Sequence, residues 1–220
     1  MTPTPGPTSD PAPGSIPTSA PGSTARAASL ERVTGETHIR LSLALDGSGA
    51  GSRRTGVGFL DHMLDLLARH GHMDLEVNVS GDLQTGAHHT AEDTAIVLGQ
   101  ALHEALGDRA GIVRYGFACT PMDEARASCS LDVSGRPFTL YEGQLPPGVT
   151  GGFEHELTEE FFRALASSAK LTLHLRIEAG TNAHHMMEAA FKAFARALRQ
   201  AVAIDPAETG VPSTKGTLTA

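Results

Sequence analysis

One pattern of ligand-type side chains, His-His-x-x-Glu, is present twice in the 220-residue sequence. Its metal-binding candidates are His88, His89, Glu92, His184, His185 and Glu188. Imidazole nitrogens and carboxylate oxygens are ordinary ligands of divalent transition metals. The sequence therefore predicts a two-metal site, with one half-site in each copy of the pattern.

The repetition continues beyond these ligands. At the spacing that superimposes the two patterns, identical residues recur in the pairs Leu75 and Leu171, Thr85 and Thr181, Ala87 and Ala183, Ala101 and Ala197, and Leu102 and Leu198. Self-similarity at one fixed spacing indicates a duplicated structural unit. We therefore expect two similar halves, at about 29–120 and 121–205.

Each pattern precedes a stretch with the apolar period of an amphipathic helix. The apolar positions are Ala95, Leu98, Leu102 and Leu106 in the first copy, and Phe191, Phe194, Ala195, Leu198 and Val202 in the second. Residues four apart lie on one helix face, so His88 and Glu92 are expected to share one ion. His184 and Glu188 are expected to share another for the same reason.

The remaining histidine of each pair, His89 or His185, points about 100° away from that face. The symmetric arrangement is an exchange, in which each of these histidines completes the site of the other copy. The sequence leaves open whether the copies meet within one chain or across a subunit contact. An alternative is that the paired histidines cap helices or lie on solvated faces, which two in-register copies disfavour.

Composition excludes several classes of partner. The formal net charge is -8 and only 5% of residues are aromatic, which lacks the electrostatic footprint of a nucleic-acid-binding protein. No apolar stretch approaches the roughly 20 residues that cross a bilayer, and the N-terminus lacks a secretory signal pattern. We expect a soluble, cytoplasmic protein without a membrane partner. Cys119 and Cys129 are expected to be reduced and buried.

The coarse organisation of the chain predicts an α+β fold. Residues 1–28 are rich in Pro, Gly, Ser, Thr and Ala and are expected to be a disordered tail, leaving 29–220 to fold from about Leu30. Apolar alternation predicts a strand at 37–46, a glycine-rich flexible turn follows at 46–51, and helical spacing marks 59–70. Further strands are expected at 75–79, 113–119, 127–133, 138–141 and 171–177. Such interspersed elements favour a sheet packed against helices in each half.

Several longer motifs occur in a fixed order between about residues 30 and 218. They are GFLDHML at 58–64, the two His-His-x-x-Glu patterns, PMDEA at 121–125, SGRP at 134–137 and PSTKG at 212–216. With these motifs the chain resembles the imidazoleglycerol-phosphate dehydratase family of histidine biosynthesis. The resemblance implies two fused copies of a ribosomal-protein-like unit with a C-terminal phosphate-binding tail. It also implies a lyase with two Mn²⁺ ions per active site, and a cubic 24-subunit assembly with active sites at subunit contacts.

The resemblance assigns roles to further residues. It implies that His62 and His174 complete the metal ligands, and that Glu36 is the catalytic acid–base group, which also contacts substrate. The phosphate of the substrate would be bound by Arg114, Arg136, Ser213, Thr214 and Lys215. The expected reaction converts imidazole glycerol phosphate to imidazole acetol phosphate by loss of water.

That chemistry explains why two metals are useful. The proton that must leave carbon is barely acidic, so the imidazole ring has to act as an electron sink, and metals on its nitrogens favour this. Mixed nitrogen and oxygen ligands suit manganese, although ligand type alone leaves zinc, iron and nickel open. A di-metal hydrolase and a non-enzymatic metal-binding shell protein are the alternatives. The first lacks an HExxH motif, and the second leaves Glu36 and the PSTKG motif unexplained.

Overall fold

The computed structural model describes residues 25–218 of the chain. The first strand begins at Ala27, which pairs with Ala44, so the folded part begins slightly before the expected Leu30. Residues 27–28, expected in the tail, are therefore part of a strand. The rest of the predicted tail, residues 1–24, lies outside the described residues.

Within the described residues, the first half contains four strands and two α-helices. They are β1 (Ala27–Val33), β2 (Thr37–Ala44), β3 (Arg53–Arg54), α1 (Gly58–Gly71), β4 (Asp74–Gly81) and α2 (His88–Leu106). The second half contains β5 (Tyr115–Met122), β6 (Ala125–Asp132), β7 (Phe138–Glu142), the small pair β8 (Val149–Thr150) and β9 (Phe153–Glu154), α3 (Leu157–Ala169), β10 (Thr172–Ala179) and α4 (Ala183–Val202).

The two large sheets have the same topology. Their strand orders are β1-β2-β4-β3 and β5-β6-β10-β7, and in each sheet only the last pair of strands is parallel. The predicted α+β duplication is therefore confirmed. The predicted boundary at 120/121 is wrong, because it cuts β5, whose hydrogen-bonded partner β6 belongs to the second sheet. The halves instead meet between Leu106 and Tyr115.

The halves share one hydrophobic core. Alternate residues of β2 and β10, such as Leu41 and Leu175, are buried against the helices. The helices also pack across the repeat, since α1 contacts α4 and α2 contacts α3. Fully burying a leucine or phenylalanine contributes about 1.5–3 kcal/mol, so this shared core holds the halves together. It also brings α1 of one half beside the His-His-x-x-Glu pattern on α4 of the other.

The outer faces of the two sheets differ in chemistry. The first sheet presents polar residues such as Glu31 and Arg40, whereas the second exposes Tyr115, Phe117 and Phe138 by 56%, 62% and 57%. Cys119 lies on this second outer face and is exposed, so its predicted burial is wrong; Cys129 is buried as expected. Because side chains alternate faces along a strand, Cys119 of β5 points to the outer face while Cys129 of β6 points to the buried face.

The glycine-rich turn between β2 and β3 is held in one conformation. Asp74 Oδ1 accepts the backbone N–H groups of Ser48, Gly49 and Ala50 at 2.8, 3.1 and 2.9 Å. These bonds replace the flexible connection expected from composition. Across residues 25–218, none of the helices has the length and apolar character needed to span a membrane.

Candidate active site

Three predicted ligands converge where α1 crosses α4. Glu188 Oε1 lies 3.0 Å from His62 Nε2 and 2.9 Å from His184 Nε2. All three ligand atoms lie within 4.8 Å of one another. The expected contact between His184 and Glu188 is thus present. The third member within the chain is His62, supplied by the first half, and not His89 as the exchange hypothesis expected.

The environment of Glu188 favours its ionised form. Burial raises the pKa of this carboxyl, but hydrogen bonds from Lys192, His62 and His184 outweigh it and lower the pKa to about 2. Lys192 Nζ lies 2.5 Å from Glu188 Oε2, and the ring of Phe59 meets the edge of His184 with centroids 5.0 Å apart. Two imidazole nitrogens converging on an ionised carboxylate form a donor set that fits a divalent transition metal.

His88 and Glu92 form the corresponding pair at the start of α2. His88 Nε2 lies 3.4 Å from Glu92 Oε2, as the spacing of four predicts, and both side chains are exposed. In residues 25–218 no third histidine, cysteine or acidic residue joins them in a cluster of ligand atoms. One chain therefore presents one nearly complete set of ligands and one partial set.

The second histidine of each pattern contacts carboxylates of its own half. His89 Nδ1 lies 3.0 Å from Asp82 Oδ2, and its Nε2 lies 3.6 Å from Glu36 Oε1. His185 Nδ1 lies 2.7 Å from Glu124 Oε2. Neither histidine joins the ligand pair of the other copy, so the exchange does not occur within a single chain. The exchange between chains stays a prediction.

These contacts shift the ionisation of both partners. The hydrogen bond to Asp82 raises the pKa of His89, and the hydrogen bond to Glu124 raises the pKa of His185. Hydrogen bonds from His185 and from the backbone of Asn182 lower the pKa of Glu124 to about 2. Neither Asp82 nor Glu124 is among the site residues predicted from the sequence, although Glu124 lies inside the PMDEA motif.

The predicted phosphate-binding residues line one cleft of about 720 Å³. The cleft contains Arg114, Arg136, Ser213, Thr214 and Lys215, together with Tyr115, Glu208, Val211 and Pro212. Arg114 is fixed at its edge by a two-point contact to Asp132 of 2.8 and 3.1 Å, and it donates to the carbonyl of Pro212 at 2.8 Å. Arg114 thereby ties the C-terminal segment to the second sheet.

His174 lies away from the other predicted ligands of its chain. It is exposed on the outer face of β10, where its ring centroid is 6.0 Å from that of Phe138. It lines a depression with Tyr115 and Asp132, and Tyr115 also lines the cleft that contains the predicted phosphate-binding residues. The sequence left open which subunit contributes this histidine. The alternation along β10 turns its side chain away from the helices of its own chain, and its role as a metal ligand stays a prediction.

Comparison with known proteins bears on the identity of this site. The sequence profile described as Imidazoleglycerol-phosphate dehydratase matches residues 55–198. The chain is 55% identical over 194 residues to the imidazoleglycerol-phosphate dehydratase of Moorella thermoacetica, covering 88% of this chain and 99% of that protein. It is 54% identical to that of Geobacter metallireducens, covering 88% and 100%. The chain belongs to the imidazoleglycerol-phosphate dehydratase family.

Solved structures of the dehydratase family have the same fold. The crystal structure of imidazoleglycerol-phosphate dehydratase from Staphylococcus aureus has a TM-score of 0.74 and 40% identity, covering 81% of this chain and 99% of that one. The structure of the Pyrococcus furiosus protein in complex with (S)-C348 has a TM-score of 0.74 and 35% identity, covering 86% and 100%. The resemblance expected from the motifs is therefore confirmed, and the dehydratase family places the chain among hydro-lyases.

Proposed function

We propose that this protein dehydrates imidazole glycerol phosphate to imidazole acetol phosphate in histidine biosynthesis, using two Mn²⁺ ions. The observation that carries the proposal is the convergence of His62, His184 and Glu188 within 4.8 Å in a member of the dehydratase family. A substrate with two ring nitrogens suits two metal half-sites.

The metal ligands divide into two sets. His62, His184 and Glu188 would hold one ion, and His88 with Glu92 would contribute to the other. His89, His185 and His174, turned away from these sets within a chain, would complete sites formed with neighbouring chains. When bound, the ions supply positive charge at the imidazole nitrogens, which makes the ring a better electron sink.

Glu36 is the proposed acid–base group. It lies in the turn between β1 and β2, its side chain is 55% exposed, and its Oε1 is 3.6 Å from His89 Nε2. Glu36 would take the proton from the carbon next to the one that loses hydroxide. The hydroxyl leaves as water, and the resulting enol becomes the ketone when a proton returns to carbon.

The cleft beside β5 would bind the phosphate of the substrate. Arg136 and Lys215 supply cations, and the hydroxyls of Ser213 and Thr214 supply hydrogen-bond donors. Arg114 is already held by Asp132, so it would add positive charge while keeping the C-terminal segment in position. Holding the phosphate fixes the glycerol chain relative to the ring, which is the positioning that the reaction requires.

Self-association is part of the proposal. A partial ligand set at His88 and Glu92 and an exposed aromatic surface at Tyr115, Phe117 and Phe138 are the features expected of a protein whose sites form between chains. We propose the 24-subunit assembly of the family and a cytoplasmic location for this protein, without a nucleic-acid or membrane partner.

Turnover of the authentic substrate tests the proposal. Purified protein is stripped of metal, reloaded with Mn²⁺ and incubated with imidazole glycerol phosphate. Imidazole acetol phosphate is then measured by chromatography. The proposal predicts product only after reloading. Release of inorganic phosphate without acetol phosphate would indicate a hydrolase instead, and binding of metal with no turnover would indicate a metal-binding shell protein.

A further inference from the structure

Two carboxylates outside the predicted site hold one histidine of each pair. Asp82 follows β4 and lies 3.0 Å from His89 Nδ1, and Glu124 precedes β6 and lies 2.7 Å from His185 Nδ1. An ionised carboxylate can only accept a hydrogen bond, so Nδ1 of each histidine must carry the hydrogen. In the neutral ring the lone pair is then on Nε2, the nitrogen left to bind a metal.

Glu124 occupies the same position in its half as Glu36 does in the other. Each glutamate is the residue immediately before the second strand of its sheet, since β2 begins at Thr37 and β6 at Ala125. Their partners differ, however. Glu36 lies nearest Nε2 of His89, whereas Glu124 lies at Nδ1 of His185. The two turn glutamates therefore contact opposite ring nitrogens, and in the second half Asp123 of the same turn lies 3.8 Å from Nε2 of His185.

Glu124 is itself held from a second direction. Its Oε1 accepts the backbone N–H groups of Thr181 and Asn182 at 3.2 and 2.8 Å, just before α4 begins. Its Oε2 is thereby aimed at His185. In the first half the turn glutamate, Glu36, lies at Nε2 of His89. Nδ1 of that histidine is contacted instead by Asp82, which comes from a different loop.

We propose that Asp82 and Glu124 are positioning residues that orient His89 and His185 as metal ligands, and that the duplicated turn glutamates have diverged into an acid–base group and a positioning group. This inference rests on the proposed function, because it requires that these histidines bind metal. Replacing a carboxylate that fixes the orientation and hydrogen placement of a metal-binding histidine typically lowers metal affinity by about 10- to 100-fold.

The variant Glu124→Gln distinguishes a role in orienting His185 from a role in holding the local fold. The glutamine oxygen must still face the N–H groups of Thr181 and Asn182, so its NH₂ group faces His185 Nδ1. That nitrogen must then accept a hydrogen bond, which moves the ring hydrogen to Nε2. The local fold is kept while the metal-binding nitrogen is blocked. For Asp82 the informative pair is Asp82→Ala and Asp82→Asn, because the asparagine oxygen can still accept from His89.

The test is titration of the metal-free full-length protein with Mn²⁺, with free Mn²⁺ measured by electron paramagnetic resonance. Glu124→Gln and Asp82→Ala are expected to lower affinity by about 10- to 100-fold, with Asp82→Asn losing less. Glu178→Gln removes the same charge from a carboxylate paired with Arg126 and should bind like wild type. Thermal unfolding of each metal-free variant checks that it folds.

The possible failures are distinguishable. Wild-type affinity in folded Glu124→Gln and Asp82→Ala would overturn the positioning roles while leaving the proposed function standing. An equal loss in Glu178→Gln would overturn them too, because net charge alone would then explain the effect. Wild-type protein that binds no Mn²⁺ would instead contradict the proposed function itself.

Discussion

His62 Nε2 lies 3.0 Å from Glu188 Oε1, and this contact joins helix α1 of the first half to helix α4 of the second. His184 on α4 reaches the same oxygen at 2.9 Å. The candidate metal site is therefore built across the duplication, and neither half could form it alone. Its integrity depends on the core that the two halves share.

Glu188 is expected to make the stability of the metal-free protein depend on pH. Its folded pKa is about 2, below the ordinary value of 4.5, so its stabilising contribution is complete above about pH 4.5 and is lost as the pH falls toward 2. Glu188→Gln should lower the free energy of unfolding at pH 7 by about 1.5–3 kcal/mol. It should also flatten the loss of stability between pH 4.5 and 2.

Urea unfolding of the metal-free proteins across that pH window measures both effects. Glu159→Gln is the matched control, because this carboxylate pairs with Arg163 on an exposed helix surface and should contribute little. Identical pH profiles for wild type and Glu188→Gln would show that the hydrogen bonds to Glu188 do not stabilise the fold.

Removal of metal is expected to abolish turnover and also to loosen the proposed assembly. Ligands from different helices, and in the proposed assembly from different chains, lose the ion that joins them. Light scattering before and after chelation, and again after Mn²⁺ is restored, measures the mass. A metal-free protein of unchanged mass would leave the catalytic role of the metal standing but would remove its structural role.

Arg109 is expected to hold the C-terminal segment that carries the proposed phosphate-binding residues. Its side chain is fully buried, it donates to the carbonyl of Leu218, and its Nη2 lies 2.9 Å from His103 Nδ1. Arg109→Lys keeps the positive charge but lacks the planar guanidinium group that contacts Leu218 and His103 together, so it should release this segment. We expect KM to rise about tenfold or more, on the scale of a lost charged hydrogen bond, with a smaller change in kcat.

Steady-state kinetics with imidazole glycerol phosphate, together with denaturant unfolding, test this role. Arg176→Lys is a suitable control, because Arg176 forms a 3.7 Å exposed pair with Glu142. If Arg109→Lys lowers stability but leaves KM unchanged, the C-terminal segment is held by other contacts.

Local features of the site were predictable from the sequence. A spacing of four residues on a helix fixes which side chains share a face, and this identified His184 with Glu188 and His88 with Glu92. Alternation of apolar residues likewise identified β2, one of whose faces is buried. The motifs pointed to the residues that line the proposed phosphate-binding cleft.

Contacts between distant segments were not predictable in the same way. Periodicity shows that the side chains of His174 and Cys119 lie on the opposite sheet face from their neighbours in sequence. It does not show which face meets the helices, and both residues lie on the outer face. The position of β5 in the second sheet depends on its pairing with β6. Asp82 and Glu124 lie in loops, where a carboxylate has no period that reveals its partner.

The most direct test of the account is Glu36→Gln, because Glu36 is proposed to act on carbon while the metals act on the ring. The variant keeps size and much of the hydrogen bonding but removes the base, so turnover should fall by about 10²- to 10⁴-fold. Manganese content and substrate affinity should stay close to wild type. Glu31→Gln is the control, because this exposed carboxylate on β1 contacts His38 and Arg40.

The decisive measurement is kcat of Glu36→Gln, determined with metal content on the same sample. We expect a loss of at least about 100-fold in kcat with full manganese occupancy. Retention of more than about half the wild-type kcat would contradict a general-base role of this size. Loss of metal would also contradict it, because Glu36 would then be a ligand and the division of the histidines between the two ions would have to be redrawn.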